Sequence, residues 1–359
     1  MTRFGHGLVI GKFYPPHLGH HHLIRTMARR CERATVLVEA AAVESIPLAD
    51  RLAWLCRVHA DDPNVTVRGV RCDVPVDYGD ERVWAAQVAV MRAALADLAP
   101  VDAVFSSETY GDELAVRLGA GHVCVDPARS AVPVSATAIR SDLAGHWHLL
   151  HPLVRAGLAV RVVFVGAEST GTTTLATLLA ERFRTRGRAF AATRCVPEYG
   201  REYTDVKWRT SNTPSLNDLV WTRADFDAIA AEQTRRENSA AAEGSPLLVC
   251  DTDAFATSVW ERRYLGRAAR HDQPWARGLP TRDIYLVADH VGVPWQDDGM
   301  REGDLAIRSA MTDWFVRALT TAGHSWALLT GSIDERLRLA TRIADQLLAR
   351  RVTFSTPLG

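Results

Sequence analysis

The sequence predicts an α/β protein built from two doubly wound parallel-sheet domains. Three observations carry that expectation. Short apolar runs alternate with helical patterns along the whole chain, a glycine-bearing loop follows the first apolar run of each half, and 359 residues are too many for one hydrophobic core.

In the first half, apolar runs at 8–10, 34–39, 65–70, 101–105 and 122–125 read as strands, and the stretches 19–30, 48–59, 81–98 and 113–118 read as helices. In the second half, strands are expected at 160–165, 190–197, 246–250, 283–287 and 325–329. The helices between and after them fall at 173–186, 216–242, 253–264, 304–322 and 333–350. Between 142 and 159 both periodicities break, which places the domains at 1–152 and 153–359. No internal repeat or low-complexity segment interrupts either half.

Hydrophobic residues make up 47% of the chain and charged residues 23%, a globular balance. Lys plus Arg and Asp plus Glu stand at 42 each, so no global positive field invites nucleic acid or a membrane surface. An anionic ligand must be met by a local site. The six cysteines form no C-x-x-C pair, and the most apolar run, 158–165, is short and broken by Arg161. A cytoplasmic protein with reduced cysteines is expected.

The first phosphate-handling signature runs from Gly11 to His20: Gly11-Lys12-Phe13-Tyr14-Pro15-Pro16-His17-Leu18-Gly19-His20. It follows a buried strand and precedes a helix, which is where ligands bind in open α/β sheets. Gly11 lets a ligand approach the backbone, and His17 and His20, three apart, offer two imidazole donors to a phosphate. His20-His21-His22 also admits a metal reading, but no Asp, Glu or Cys joins them at ligand spacing. Far downstream, Val134-Ser135-Ala136-Thr137-Ala138-Ile139-Arg140 places Ser135 and Thr137 at a helix start and Arg140 one turn in. Alone this is an ordinary N-cap; paired with the first string it becomes an anion site.

The second signature is a strand, then Gly166-Ala167-Glu168-Ser169-Thr170-Gly171-Thr172-Thr173-Thr174, then a helix, the context of a P-loop. Thr172 stands where the P-loop lysine belongs, and Thr173 stands at the Mg2+ position. Loop amides from Gly166 to Gly171 can still cradle phosphates. Downstream, Asp251 and Asp253 close a buried strand and suit Mg2+ or a substrate hydroxyl, while Glu198 offers a base and Arg201 an anion contact. The string Trp295-Gln296-Asp297-Asp298-Gly299-Met300-Arg301 reads as a glycine-hinged lid that brings Trp295, Asp298 and Arg301 to a substrate. Each fragment has a plain alternative: Asp253 as a helix cap, Glu198 paired with Arg201, and 297–299 as a turn.

The two N-terminal strings resemble the HxGH nucleotidyltransferases, with Val134 in place of the usual isoleucine. Phe105-Ser106-Ser107-Glu108 with Tyr110-Gly111, Val125-Asp126-Pro127-Ala128-Arg129, and Trp147 before the join are more closely similar to the bacterial NadR family. There a nicotinamide mononucleotide adenylyltransferase is fused to a ribosylnicotinamide kinase of P-loop type. The resemblance covers nearly the whole chain and implies ATP on Gly11, Lys12, Phe13, Ser135 and Thr137, with His17, His20 and Arg140 on its phosphates. It implies Ser107, Tyr110 and Trp84 around the mononucleotide, Trp84 by stacking, although a helix aromatic is more often core.

The implied reactions are adenylyl transfer to nicotinamide mononucleotide, giving NAD and pyrophosphate, and phosphorylation of nicotinamide riboside, both with ATP and Mg2+. Partners are then small molecules, without nucleic acid or membrane, and self-association stays open. Nothing before Leu8 could hold the helix-turn-helix of NadR members that repress transcription. Two alternatives stay open as well. The lysine-free P-loop domain is a non-catalytic nucleotide-binding module, or the adenylyltransferase serves another phosphorylated cofactor precursor.

Overall fold

The computed structural model describes residues 3–214, 216–266, 281–294 and 305–356. It divides into two units, Met1–Val154 with Val352–Gly359, and Arg155–Arg351. The described residues 352–356 therefore group with the first unit, a departure from the expected 153–359 domain. Phe354 packs edge-on against Tyr14, with ring centroids 5.5 Å apart, and supplies a physical reason.

The first unit runs β1 (Phe4–Gly11), α1 (Leu18–Arg30), β2 (Cys31–Ala40), α2 (Leu48–Val58), β3 (Val65–Arg71), α3 (Glu81–Leu95), β4 (Ala103–Ser106), α4 (Tyr110–Leu118), β5 (Gly121–Cys124) and α5 (Ala136–Ser141). Its strands are parallel in the order β3-β2-β1-β4-β5. The order reverses between β1 and β4, so a crevice opens at their carboxyl ends. α3 buries Trp84, Val88, Met91 and Leu95 at helical spacing against the sheet.

The second unit takes in most of α6 (Pro152–Leu158), then β6 (Val160–Gly166), α7 (Thr172–Arg184), β7 (Arg194–Val196), α8 (Tyr199–Thr210), α9 (Arg223–Glu243), β8 (Leu247–Asp251), α10 (Ala254–Leu265), β9 (Ile284–Ala288), α11 (Leu305–Thr321), β10 (Trp326–Leu329) and α12 (Ile333–Val352). The parallel order is β10-β9-β6-β8-β7. β6 is buried along its whole length, as a central strand covered on both faces must be.

Three segments depart from the sequence reading. The strand expected at 190–197 shrinks to β7, because Gly187 turns left-handed (φ 69°) into a 3₁₀ turn at Arg188–Ala192. The helix expected from 216 starts only at α9, where Thr222 and Asp225 form a reciprocal cap. The aperiodic join holds a 3₁₀ turn with buried Trp147, followed by α6. Among the described residues no helix is long and apolar enough to cross a membrane.

Candidate active sites

In the first unit, β1 delivers Gly11 to the crevice and residues 12–17 lead into α1. Phe13 adopts a left-handed φ of 46°, a strain that a packed site can hold. His17 caps α1: its Nδ1 accepts the His20 backbone N–H at 3.3 Å, and His20 Nδ1 accepts the His17 backbone N–H at 3.2 Å. The rings stack at 3.6 Å. An Nδ1 that accepts carries no proton, so each neutral ring bears its N–H on Nε2. Burial, with Arg129 and Arg140 adding repulsion, lowers His17 to about 3, and burial holds His20 well below its ordinary value. The pair is two oriented neutral donors at pH 7. Gly19 is required beside them, since a Cβ there would stand 3.1 Å from the His17 ring and 3.3 Å from Val134.

Ser135 caps α5 by accepting the Ala138 N–H at 3.1 Å, and Arg140 donates to Tyr14 O at 3.0 Å and to Thr137 Oγ1 at 3.1 Å. The two distant strings thus meet on one cavity of about 790 Å³, lined also by Gly11, Lys12, Phe13, Ser107 and Tyr110. Lys12 reaches this cavity but lies 3.4 Å from the buried carboxylate of Glu44, which also holds Arg51. Trp84, expected to stack on a nicotinamide ring, stands in the cavity wall but is largely buried. It is 6% exposed, its Nε1–H donates to Tyr78 O at 3.2 Å, and the Arg117 guanidinium lies 5.0 Å from its ring. It borders the cavity as part of the core stripe of α3.

Two groups in this cavity had no site role assigned from the sequence, although Arg129 belongs to one of the strings that carry the resemblance. Arg129 sits in a left-handed turn (φ 51°), pairs with Glu108 at 3.0 Å, and faces the histidines electrostatically. Glu39, at the end of β2, is raised by burial to about 7.

Next to the stacked pair in sequence, His21 is fully buried, and its Nδ1 lies 3.0 Å from His59 Nε2. Burial lowers His21 to about 2. The unfolded chain binds a proton at His17 and His21 near 6.5 and the folded chain does not. Stability is therefore full above pH 6.5 and falls as the pH drops from about 6.5 towards 3. Each such histidine is expected to remove about 1.4 kcal/mol per pH unit in that window. Urea unfolding at pH 7, 6 and 5 checks this: His21→Leu should show a shallower pH dependence than the wild type, and equal slopes would refute the assignment.

In the second unit, Ser169 (φ 56°) and Gly171 (φ 84°) are left-handed on either side of Thr170, a conformation that gathers loop amides into a concavity. Gly166 leaves no room for a side chain, since a Cβ would lie 3.0 Å from Ala288 O and 2.5 Å from Thr170 Oγ1. Thr173 Oγ1 donates to Asp251 Oδ2 at 2.6 Å, joining α7 to the end of β8. A cavity of about 400 Å³ adjoins the loop and includes Thr172, Thr174, Glu168, Glu198 and Arg201 in its wall. Glu198 and Arg201 approach each other at 3.8 Å and both remain in that wall. Four aromatic residues unforeseen from sequence complete it: Trp221, Phe226, Trp260 and Tyr264. Burial, then the Glu168 carboxylate, pushes the Tyr264 phenol up to about 12.

Two expected site residues turn their side chains away from the cavity. Asp253 is fully buried, caps α10 through Ala256 N–H at 2.9 Å, and accepts from Arg282 Nε at 2.9 Å and Tyr285 OH at 2.8 Å. It belongs to a core ion network with Glu237 rather than to the substrate wall. The Thr170 hydroxyl turns inward to Ala167 O at 2.7 Å and is 2% exposed, so only its backbone is left for a ligand. Trp295, Asp298 and Arg301 lie outside the described residues.

The family model of an AAA domain matches residues 161–336, the greater part of the second unit. The trifunctional NAD biosynthesis/regulator protein NadR of Salmonella typhimurium is 25% identical over 331 residues, 87% of this chain and 76% of that protein. Its counterpart in Escherichia coli is 25% identical over 312 residues, 82% of this chain and 71% of that protein. Among solved structures, a NadR protein in complex with NR superposes with a TM-score of 0.61 at 20% identity. A NadR protein in complex with NAD and AMP-PNP gives 0.58 at 19%, and both comparisons cover 100% of this chain and 99% of the other. Alike in sequence over most of its length and in fold across both units, the chain is a homologue of NadR, the NAD-biosynthesis protein.

Proposed function

We propose that the chain makes NAD in two steps: the second unit phosphorylates nicotinamide riboside, and the first adenylylates the resulting mononucleotide. The observation that carries the adenylyl step is the stacked His17–His20 pair, whose Nε2 protons are fixed by a backbone cap beside Arg140. A mononucleotide phosphate oxygen attacks the α-phosphorus of ATP. One P–O bond forms, the α–β bond breaks, and pyrophosphate leaves. The imidazoles and Arg140 stabilise the charge that gathers on the α-phosphoryl oxygens, and no proton need move through them.

For the kinase step, the riboside 5′-hydroxyl attacks the γ-phosphorus, the bond from that phosphorus to the β,γ-bridging oxygen breaks, ADP leaves, and Glu198 is the candidate to take the hydroxyl proton. Thr173 and Asp251 give a hydroxyl and a carboxylate at the phosphate loop, a donor set that fits Mg2+, which keeps water and phosphate oxygens as its other ligands. When bound, the ion would neutralise charge on the β- and γ-phosphates. Nicotinamide riboside carries a cationic pyridinium ring. A wall of four aromatics beside Glu168 and Glu198 supports its binding through cation–π and charge attraction.

The NadR structures solved with NR and with NAD and AMP-PNP support the substrate class. Trp221→Ala is expected to raise KM for nicotinamide riboside about 10-fold while kcat stays within about 3-fold, the pattern of lost ground-state binding. Steady-state kinetics decides it, and an unchanged KM would remove the aromatic wall from the substrate site.

Thr172 in the lysine position favours a second reading, a second unit that binds nucleotide without transferring phosphate. Incubation with ATP, Mg2+ and either nicotinamide riboside or its mononucleotide separates the two. NAD from both supports the full proposal, NAD from the mononucleotide alone supports the second reading, and NAD from neither refutes both.

A further inference from the structure

We infer that Arg308 and Arg336 orient and charge the phosphate loop from behind, taking over the electrostatic role of the lysine that Thr172 replaces. The inference rests on the reading that the second unit binds ATP. Arg308, on α11, donates from Nη2 to Ser169 O at 3.2 Å and to Val293 O at 3.4 Å. Arg336, on α12, donates from Nη1 to Thr170 O at 3.3 Å and to Asp289 O at 2.9 Å, and from Nε to Gly331 O at 2.8 Å. The two guanidinium groups therefore hold consecutive carbonyls of the loop.

In a trans peptide the C=O and N–H point in opposite directions. Drawing the Ser169 and Thr170 carbonyls towards the arginines turns the N–H groups of Thr170 and Gly171 the other way, into the concavity that Ser169 and Gly171 shape with their left-handed backbones. Orientation is half of the effect, and charge is the other half. Arg308 is 4% exposed and Arg336 1%, and among the described residues neither makes a salt bridge to a carboxylate. Arg308 Nε is buried without a hydrogen-bond partner. Burial lowers the pKa of both, with Glu168 and Asp289 as the opposing charges.

A buried cation without an ion-pair partner is costly on its own, and two of them behind an anion-binding loop are accounted for when a polyphosphate arrives in front. The side-chain ammonium of an ordinary P-loop sits in the cradle; here the positive charge stands one peptide plane behind it. Both arginines are positioning residues, since they act through the loop and touch no phosphate.

Calorimetric titration of the full chain with AMP-PNP and Mg2+ should show two sites in the wild type. Arg308→Met and Arg336→Met should each weaken one site at least 10-fold, leaving the other site and NAD formation from the mononucleotide unchanged. Adenosine affinity should not move, because the loss lies in the phosphate part, and adding Thr172→Lys to Arg308→Met should recover most of it. A merely structural role would lower adenosine and AMP-PNP binding together and would not be rescued. That result overturns the inference, as do two unaltered sites in the Arg308 variant. Should Arg336→Met fail to fold, Arg308→Met, which breaks fewer contacts, carries the test. A wild type with a single site would instead refute nucleotide binding by the second unit, the reading on which the inference rests.

Discussion

Alanine at position 20 is expected to slow NAD formation from nicotinamide mononucleotide and ATP by at least ~10²-fold, and alanine at position 140 by a similar factor. A factor of 10² is about 2.7 kcal/mol of transition-state stabilisation, the usual worth of one well-placed donor at a developing oxyanion. His20→Ala also removes half of the reciprocal cap on α1, a loss of about 1 kcal/mol that falls on stability rather than rate. A thermal melt beside the kinetics separates the two. His20→Asn tests the donor more finely: it can accept the His17 N–H, yet its amide cannot reach where the imidazole Nε2 stands, so it should keep the cap and stay slow. Turnover near the wild-type rate in both alanine variants would sink the assignment of this cleft to adenylyl transfer.

The second large effect is expected at Asp251. Its carboxylate ends a fully buried strand, is 4% exposed, and holds the Thr173 hydroxyl at 2.6 Å. Asp251→Ala should lower phosphorylation of nicotinamide riboside by about 10³-fold, because it removes the carboxylate that, among the described residues, accepts from the Thr173 hydroxyl. Asp251→Asn preserves the hydrogen bond from Thr173 and discards the charge, so an equal loss assigns the effect to charge. NAD formation from the mononucleotide serves as the internal control and should stay within about 2-fold. A kinase rate unaffected by either substitution would exclude Asp251 from the reaction.

What could be read in advance followed from local rules. His17, Gly19 and His20 lie within one turn of chain, and Ser135 with Arg140 within another, so their relation is set by the helix that each string begins. Asp251 and Asp253 show where such rules stop. The Thr252 between them is left-handed (φ 73°), which sends one carboxylate to the phosphate loop and the other into the core. The core partners of Asp253, Arg282 and Tyr285, arrive 29 and 32 residues later, and nothing near Asp253 announces them.

The aromatic wall is spread over α9, α10 and the turn before α9, and it becomes a cavity only when those helices pack. Arg308 and Arg336 are separated from the loop they grip by 139 and 166 residues. Trp84 is the opposite case: the general tendency of a helix aromatic to be core holds for it, in a stripe with Val88, Met91 and Leu95.

Both ends of the described chain fall in the first unit, with Arg3 tied to Cys31 O and Phe354 seated on Tyr14. Under a stretching force applied at residues 3 and 356, the load falls first on the first unit, in which both residues lie. Among the contacts that resist that load is the edge-on pair of Phe354 and Tyr14. Only when they yield does tension enter the 155–351 stretch. In an optical-trap trace the first rupture would be a short event that takes Phe354 off Tyr14, whose carbonyl accepts from Arg140.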